Sequence, residues 1–255
     1  MAGPALDKPK YEVAVVVPVY KPHISACEKV AYERCLSVLG EHDIVLVAPE
    51  GLGLDAYSPY GKVRRFDASF FEDVGNYNRL MLSKEFYRSF LDYRYILMYQ
   101  LDAFVFSDEL LRWCAQGYDY IGAPWPDGVN LRPFPFRGAR VLHSVFPFWN
   151  KEITYFVGNG GFSLRNVRSC IRLLDRLPLI AKLWNRNEDF FFAIHGLRQS
   201  WFRIPDWDVA QQFSVEKNPR GCYRNQQRLP FGCHGWRKWD IEFWRPIFRD
   251  LGYII

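Results

Sequence analysis

Residues 12–17 (EVAVVV) form an almost continuous apolar run of strand length, and residues 43–48 (DIVLVA) form a second. Between them Ala31, Cys35, Val38 and Leu39 recur at i, i+4, i+7 and i+8, the spacing of one helix face. A run apolar at every position predicts a strand covered on both faces, and two such strands joined by a helix predict a βαβ unit. These units build parallel sheets with right-handed crossovers, so this stretch directs the chain to a layered α/β fold. Pro18, Val19, Tyr20, Lys21 and Pro22 close the first strand, Gly40 ends the helix, and Pro49, Glu50 and Gly51 stop the second strand.

The same reading extends along the chain. A third strand is expected at 62–66, a helix over 77–90, and a buried strand at 95–101 (YILMYQL) that runs directly into Asp102. Ligands of open α/β sheets bind beyond the carboxyl ends of the strands, which makes Asp102 the first candidate for a functional role. Residues 122–138 hold four prolines and three glycines and predict a long loop. A strand at 154–157 then enters Gly158, Asn159, Gly160 and Gly161. Val167, Cys170, Ile171 and Leu174 give helical spacing after it, and 188–195 reads as a short helix. With no internal repeat and no linker, the expected organisation is a disordered lead-in at 1–10 and one domain over 11–255. Its nucleotide-binding part spans about 11–106, and its acceptor and catalytic part about 107–255.

Composition narrows the function classes. At 255 residues, 49% hydrophobic and 24% charged, the chain suits one large globular α/β domain. The net charge of +5 is spread out, with no run of five basic residues, which argues against a nucleic-acid partner. A modest positive excess suits a pyrophosphate-bearing ligand or peripheral contact with an anionic membrane. The six cysteines include no CxxC pair, and no apolar run reaches membrane-spanning length. Reduced thiols and a cytoplasmic location, with contact at the inner face of the membrane, are the expectation.

Several segments in order carry a family likeness: Tyr99-Gln100-Leu101-Asp102-Ala103-Phe104-Val105-Phe106, then Tyr118-Asp119-Tyr120-Ile121-Gly122-Ala123-Pro124-Trp125. Gly158-Asn159-Gly160-Gly161-Phe162-Ser163-Leu164-Arg165 follows, then Asn187-Glu188-Asp189, and last Phe231-Gly232-Cys233-His234-Gly235-Trp236. With the βαβ start, this series resembles the GT-A superfamily of nucleotide-sugar glycosyltransferases. Its particular likeness is to a bacterial branch of uncharacterised proteins from polysaccharide-biosynthesis gene clusters. The resemblance covers nearly the whole chain from Val13 onward. It implies a Rossmann-like, mostly parallel sheet flanked by helices, a nucleotide-sugar donor, and a glycan or lipid-linked glycan acceptor in surface polysaccharide or O-antigen assembly.

The resemblance also distributes roles. A divalent cation, Mn²⁺ or Mg²⁺, would be held by Asp102 and by the late His234, neutralising charge on the departing diphosphate. Phe104 stands where a second acid of an Asp-x-Asp motif is expected. Asp189 would accept the acceptor's proton as general base, with Glu188 orienting the acceptor. Pro18, Tyr20, Glu50, Asn78, Arg79 and Arg165 would contact the donor, Arg165 through phosphate. Gly160, Gly161, Trp125 and Trp236 would line the sugar and acceptor side. Acids at a helix start after Asn187 also have an ordinary capping explanation. Two further alternatives stay open from sequence: a retaining transferase on the same fold, and a catalytically inactive carbohydrate-binding protein favoured by Phe104.

Overall fold

The computed structural model describes residues 8–58, 61–133 and 151–255. The first seven residues of the expected lead-in, and residues 134–138 of the expected loop, lie outside them. The chain opens with β1 (Tyr11–Pro18), α1 (Ala26–Leu39) and β2 (Asp43–Pro49), the βαβ unit of the sequence reading. Ser25 and Glu28 start α1 with a reciprocal capping box, and Cys35 and Leu39 are among its buried residues. β3 (Lys62–Phe66) and β4 (Tyr93–Tyr99) complete a parallel block ordered β3-β2-β1-β4. β1 is central, with Val15 opposite Ile44 on one side and Leu97 on the other. This 3-2-1-4 order is that of the first four strands of a doubly wound, Rossmann-like sheet.

The sheet continues through β9 (Phe162–Asn166), antiparallel to β4, to β6 (Tyr120–Ile121), antiparallel to β9. Five of the six strands therefore point the same way and β9 alone is reversed, giving the expected mostly parallel sheet flanked by helices. One face packs Val16, Val47, Ile96 and Met98 against Phe86, Phe90 and Phe192; the other packs Val15, Val17, Leu46 and Leu97 against Tyr32, Cys35 and Leu39.

Three expectations need correction. The single helix over 77–90 is two, α2 (Val74–Met81) and α3 (Lys84–Arg88), because the Ser83 side chain accepts the Phe86 N–H and starts a new helix. The strand before Asp102 ends at Tyr99: Gln100, Leu101 and Asp102 form a turn closed by Ala103 N–H to Gln100 O at 2.8 Å. That turn leads into β5 (Ala103–Val105), which leaves the main sheet. The described part of the proline-rich segment is not only loop, because Pro124–Leu131 forms β7, paired with β8 (Ile153–Val157). Its register shifts between Pro124 and Val129, where Gly128 takes φ +67°. A two-stranded ribbon leaves each strand one unpaired edge, where prolines are tolerated.

α4 (Leu110–Ala115) follows β5, and α5 (Val167–Arg176), α6 (Pro178–Leu183) and α7 (Glu188–Leu197) follow β9. Then come α8 (Trp207–Phe213), β10 (Ser214–Val215), α9 (Pro219–Gln226), β11 (Gly232–His234) and α10 (Ile241–Asp250). β10, β11 and β5 make a small second sheet in which His234 is opposite Ala103. All six cysteines are free. Among the described residues no helix is long and apolar enough to cross a membrane.

Candidate active site

A cleft of about 700 Å³ opens at the carboxyl ends of β1 and β4. Pro18, Val19 and Tyr20 form one side, Gln100 to Asp102 the floor, and Tyr57, the start of α2 and the Trp236-Arg237 turn the remaining walls. The strand ends of two neighbouring parallel strands supply it, as the doubly wound architecture dictates. Tyr20 is 55% exposed at the rim with the Lys21 ammonium 5.0 Å from its ring centre, so it retains an open aromatic face.

Asp102 and His234 meet beside this cleft. The turn after β4 carries Asp102, whose backbone oxygen accepts the Gly235 N–H at 2.9 Å, so pairing of β5 with β11 brings the two together. His234 Nε2 lies 3.0 Å from Asp102 Oδ1 and 3.1 Å from Gln100 Oε1, while its Nδ1 faces Glu216 Oε1 at 3.5 Å. Burial alone would lower the His234 pKa, but the two carboxylates outweigh it and raise the value to about 10. Burial likewise pushes the Asp102 carboxyl up, and the hydrogen bond and charge of His234 bring it below the ordinary aspartate value.

A carboxylate and an imidazole are both donors that a divalent cation takes. The 3.0 Å between Asp102 Oδ1 and His234 Nε2 is the length of a charge-assisted hydrogen bond, which the raised His234 pKa matches. The Glu216 carboxylate stands 3.5 Å behind Nδ1 as a charge neighbour. Among the described residues no group of three or more His, Cys, Asp or Glu side chains is arranged to hold a metal ion. Asp102 and His234 would therefore supply at most two protein donors. Phe104 takes no part: it is fully buried, stacked on Phe248 with ring centres 3.9 Å apart.

The glycine segment between β8 and β9 abuts the same place. A Cβ at Gly161 would lie 2.0 Å from His234 Nε2, and one at Gly160 2.3 Å from Glu188 Oε1. One at Gly158 would lie 1.9 Å from the Trp125 ring. These positions are glycine because side chains from three other segments lie directly on the backbone. Glu188 and Asp189 begin α7, both buried, at 6% and 7% exposure. Asn187 does not cap this helix with its side chain; instead Asn78 Oδ1 accepts the Glu188 N–H at 3.1 Å.

Arg165 belongs to this wall and not to the cleft. It is fully buried, bound to Glu188 Oε1 at 2.8 Å, to Tyr87 Oη and Ser163 Oγ at 3.0 Å, and to Gly160 O at 3.2 Å. Its guanidinium is also 5.2 Å from the Tyr120 ring centre. The expected contact of Arg165 with phosphate is therefore replaced by an internal ion pair, and Glu188 is held by that pair. Asp189 stands differently: its Oδ1 accepts the Phe190 N–H at 2.7 Å. Burial, then the nearby charges of Glu188 and Glu216, push its carboxyl up to about 8.

The structure thus brings Pro18, Tyr20, Asp102 and Trp236 to the cleft, and gathers Gly160, Gly161, Asn78, Arg165, Glu188 and His234 around the glycine segment. Asp189 follows Glu188 in the same helix turn. Glu50 and Arg79 are exposed and do not line the cleft; Arg79 bonds Asn76 Oδ1 at 2.8 Å. Trp125 and Trp236 are 5% and 0% exposed, packed on Gly158 and Phe248, so neither offers an open ring face. Sequence reasoning missed Gln100, Tyr77, Glu216 and Arg237. Gln100, two residues before Asp102 at a strand end, carried a usable signal; Glu216 follows a two-residue strand and carried none.

Fold and site together define an α/β protein with a ligand cleft at the carboxyl ends of its parallel strands and a carboxylate–imidazole pair beside it. The chain belongs to the family described as protein of unknown function (DUF5672), whose model matches residues 61–234. No curated protein matches it. Among solved structures it is similar to mouse xyloside xylosyltransferase 1 in its apo form, at 13% identity and a TM-score of 0.49, over 88% of this chain and 97% of that one.

Proposed function

We propose that this chain is a glycosyltransferase that moves a sugar from a nucleotide-sugar donor to a hydroxyl of a glycan or lipid-linked glycan, in surface polysaccharide assembly. The observation that carries this reading is the Asp102–His234 pair beside a strand-end cleft. Tyr20 and Pro18 suit the base and ribose, and Lys21 and Arg237 line the cleft where a diphosphate would need positive charge. Asp102 and His234 would hold a divalent cation, which when bound supplies charge neutralisation to the leaving diphosphate.

The chemistry assigned to the chain is a direct displacement. The acceptor oxygen forms a bond to the anomeric carbon as the bond to the diphosphate oxygen breaks, and the diphosphate leaves with that electron pair. Asp189 takes the acceptor's proton; a carboxylate raised towards neutral pH suits a general base. Attack opposite the leaving group inverts the anomeric centre. Glu188 is a poor base because Arg165 already occupies it.

A thermal-shift screen with UDP, GDP, dTDP and CDP and their sugar conjugates, with and without Mn²⁺, tests the reading. A ligand at a hundred times its dissociation constant stabilises a fold by about 2.7 kcal/mol, a plainly measurable rise in Tm. No stabilisation by any member of the panel would sink the assignment. Binding without donor hydrolysis or transfer would favour the inactive carbohydrate-binding protein.

A further inference from the structure

We infer that Asn78 is a positioning residue for the base: it caps α7 from α2, a helix that starts at the cleft, and so fixes where Asp189 stands; this rests on the assignment of Asp189 as base above. Asp73 and Val74, at the start of α2, line the cleft. Asn78 follows Val74 by four residues, one turn further along the same helix face. It does not line the cleft; it is 8% exposed, and its Oδ1 accepts the Glu188 N–H at 3.1 Å. A backbone N–H only donates, so the amide oxygen must be the atom that faces it. The NH₂ group then lies 3.5 Å from Asn187 Oδ1.

The first N–H groups of a helix have no partner within it, and the residue just before the helix ordinarily supplies one. Asn187 carries a suitable side chain for that task and does not perform it. The cap comes instead from 110 positions earlier in the chain. A cap from Asn187 would close α7 on itself, whereas the cap from Asn78 ties its first residue to the helix that walls the cleft.

Glu188 is held a second time, by Arg165 at 2.8 Å, but that bond anchors it to β9 inside the core. Asp189 accepts from Phe190 of its own helix turn, a bond that moves with the helix and does not place it. The stance of Asp189 towards the cleft is therefore set by what holds the start of α7, and Asn78 is the hold that comes from the cleft's own wall. A base acts only within hydrogen-bond reach of the proton it takes. A displacement of about 1 Å caused by a change away from the reacting atoms can lower a rate by roughly 10²-fold.

The test follows hydrolysis of UDP-glucose, UDP-N-acetylglucosamine, GDP-mannose and dTDP-glucose by the full chain with Mn²⁺, with water in the acceptor's place and released nucleoside diphosphate as the readout. For the conjugate that wild type turns over, Asn78→Ala should lower kcat roughly 10- to 100-fold. KM and the calorimetric affinity for the matching diphosphate should not change, because Asn78 lies outside the cleft. Asn78→Asp keeps an acceptor oxygen for the Glu188 N–H and should recover most of the loss. Added to Asp189→Asn, Asn78→Ala should lower kcat no further, because it acts through Asp189. Wild-type kcat in Asn78→Ala, equal losses of kcat and diphosphate affinity, no recovery in Asn78→Asp, or a full further loss in the double variant overturns the inference and leaves Asp189 as base. An Asn78→Ala chain that does not fold overturns it as well, since the cap would then serve the fold. Wild-type turnover in Asp189→Asn, or no hydrolysis of any conjugate by wild type, overturns the base assignment and the inference together.

Discussion

Replacing Asp189 by Asn keeps the size and most of the hydrogen bonding of the side chain but removes its ability to take a proton. The wild-type carboxyl is 7% exposed, accepts one backbone N–H at 2.7 Å, and feels the charges of Glu188 and Glu216. Its folded-state pKa therefore lies above its unfolded one. The stability contributed by the held proton is present below the ordinary aspartate pKa and is lost as pH rises towards the folded value near 8. An ionised Asp189 costs the native state on the order of a few kcal/mol, a cost that Asp189→Asn does not carry. The variant should match wild type in Tm near pH 4 and exceed it at pH 8 and above, by differential scanning fluorimetry across pH. Turnover of the donor should fall by roughly 10²- to 10⁴-fold, with nucleotide affinity nearly unchanged. In wild type the rate should climb with pH as the carboxyl ionises. Near-normal turnover in the variant would refute the assignment of Asp189 as base. A variant that melts lower at every pH would refute the electrostatic reasoning and make Asp189 a structural cap.

Gly161→Ala places a methyl 2.0 Å from His234 Nε2, so the ring must leave Asp102; Mn²⁺-dependent stabilisation by nucleotide should disappear in thermal-shift titrations. Arg165→Met leaves the buried Glu188 without its cation and should cost about 3–5 kcal/mol in urea denaturation, much of it recovered in Arg165→Met/Glu188→Leu. Phe104→Asp should not create a cation ligand. The residue is stacked inside the cluster of Phe248 and Trp236, so the expected result is marked destabilisation and no gain in Mn²⁺ affinity.

The sheet was legible from sequence because β1, β2 and β4 are apolar at nearly every position, a pattern that only double-sided cover explains. Asp102 was legible for the same reason, as the first acid beyond such a run. The break between α2 and α3 was hidden because Ser83 interrupts an otherwise continuous helical pattern by one side-chain bond. β7 was hidden under its prolines, which argue against a strand unless the partner on one side is known. The direction of Arg165 was beyond local pattern altogether. An arginine after a glycine run reads as an anion contact, and only the packing of Glu188, Tyr87 and Tyr120 around it shows a core cation.

The small sheet of β10, β11 and β5 has a consequence for the order in which the protein becomes competent. The cleft floor is encoded by residue 102, yet the imidazole beside it arrives 132 positions later, carried by the strand that pairs with β5. A polypeptide emerging from the ribosome has laid out the parallel block and the glycine segment long before His234 is synthesised. Until then Asp102 stands without the neighbour that its turn is shaped to meet. The Asp102–His234 pair therefore exists only once β11 has been made and has paired with β5.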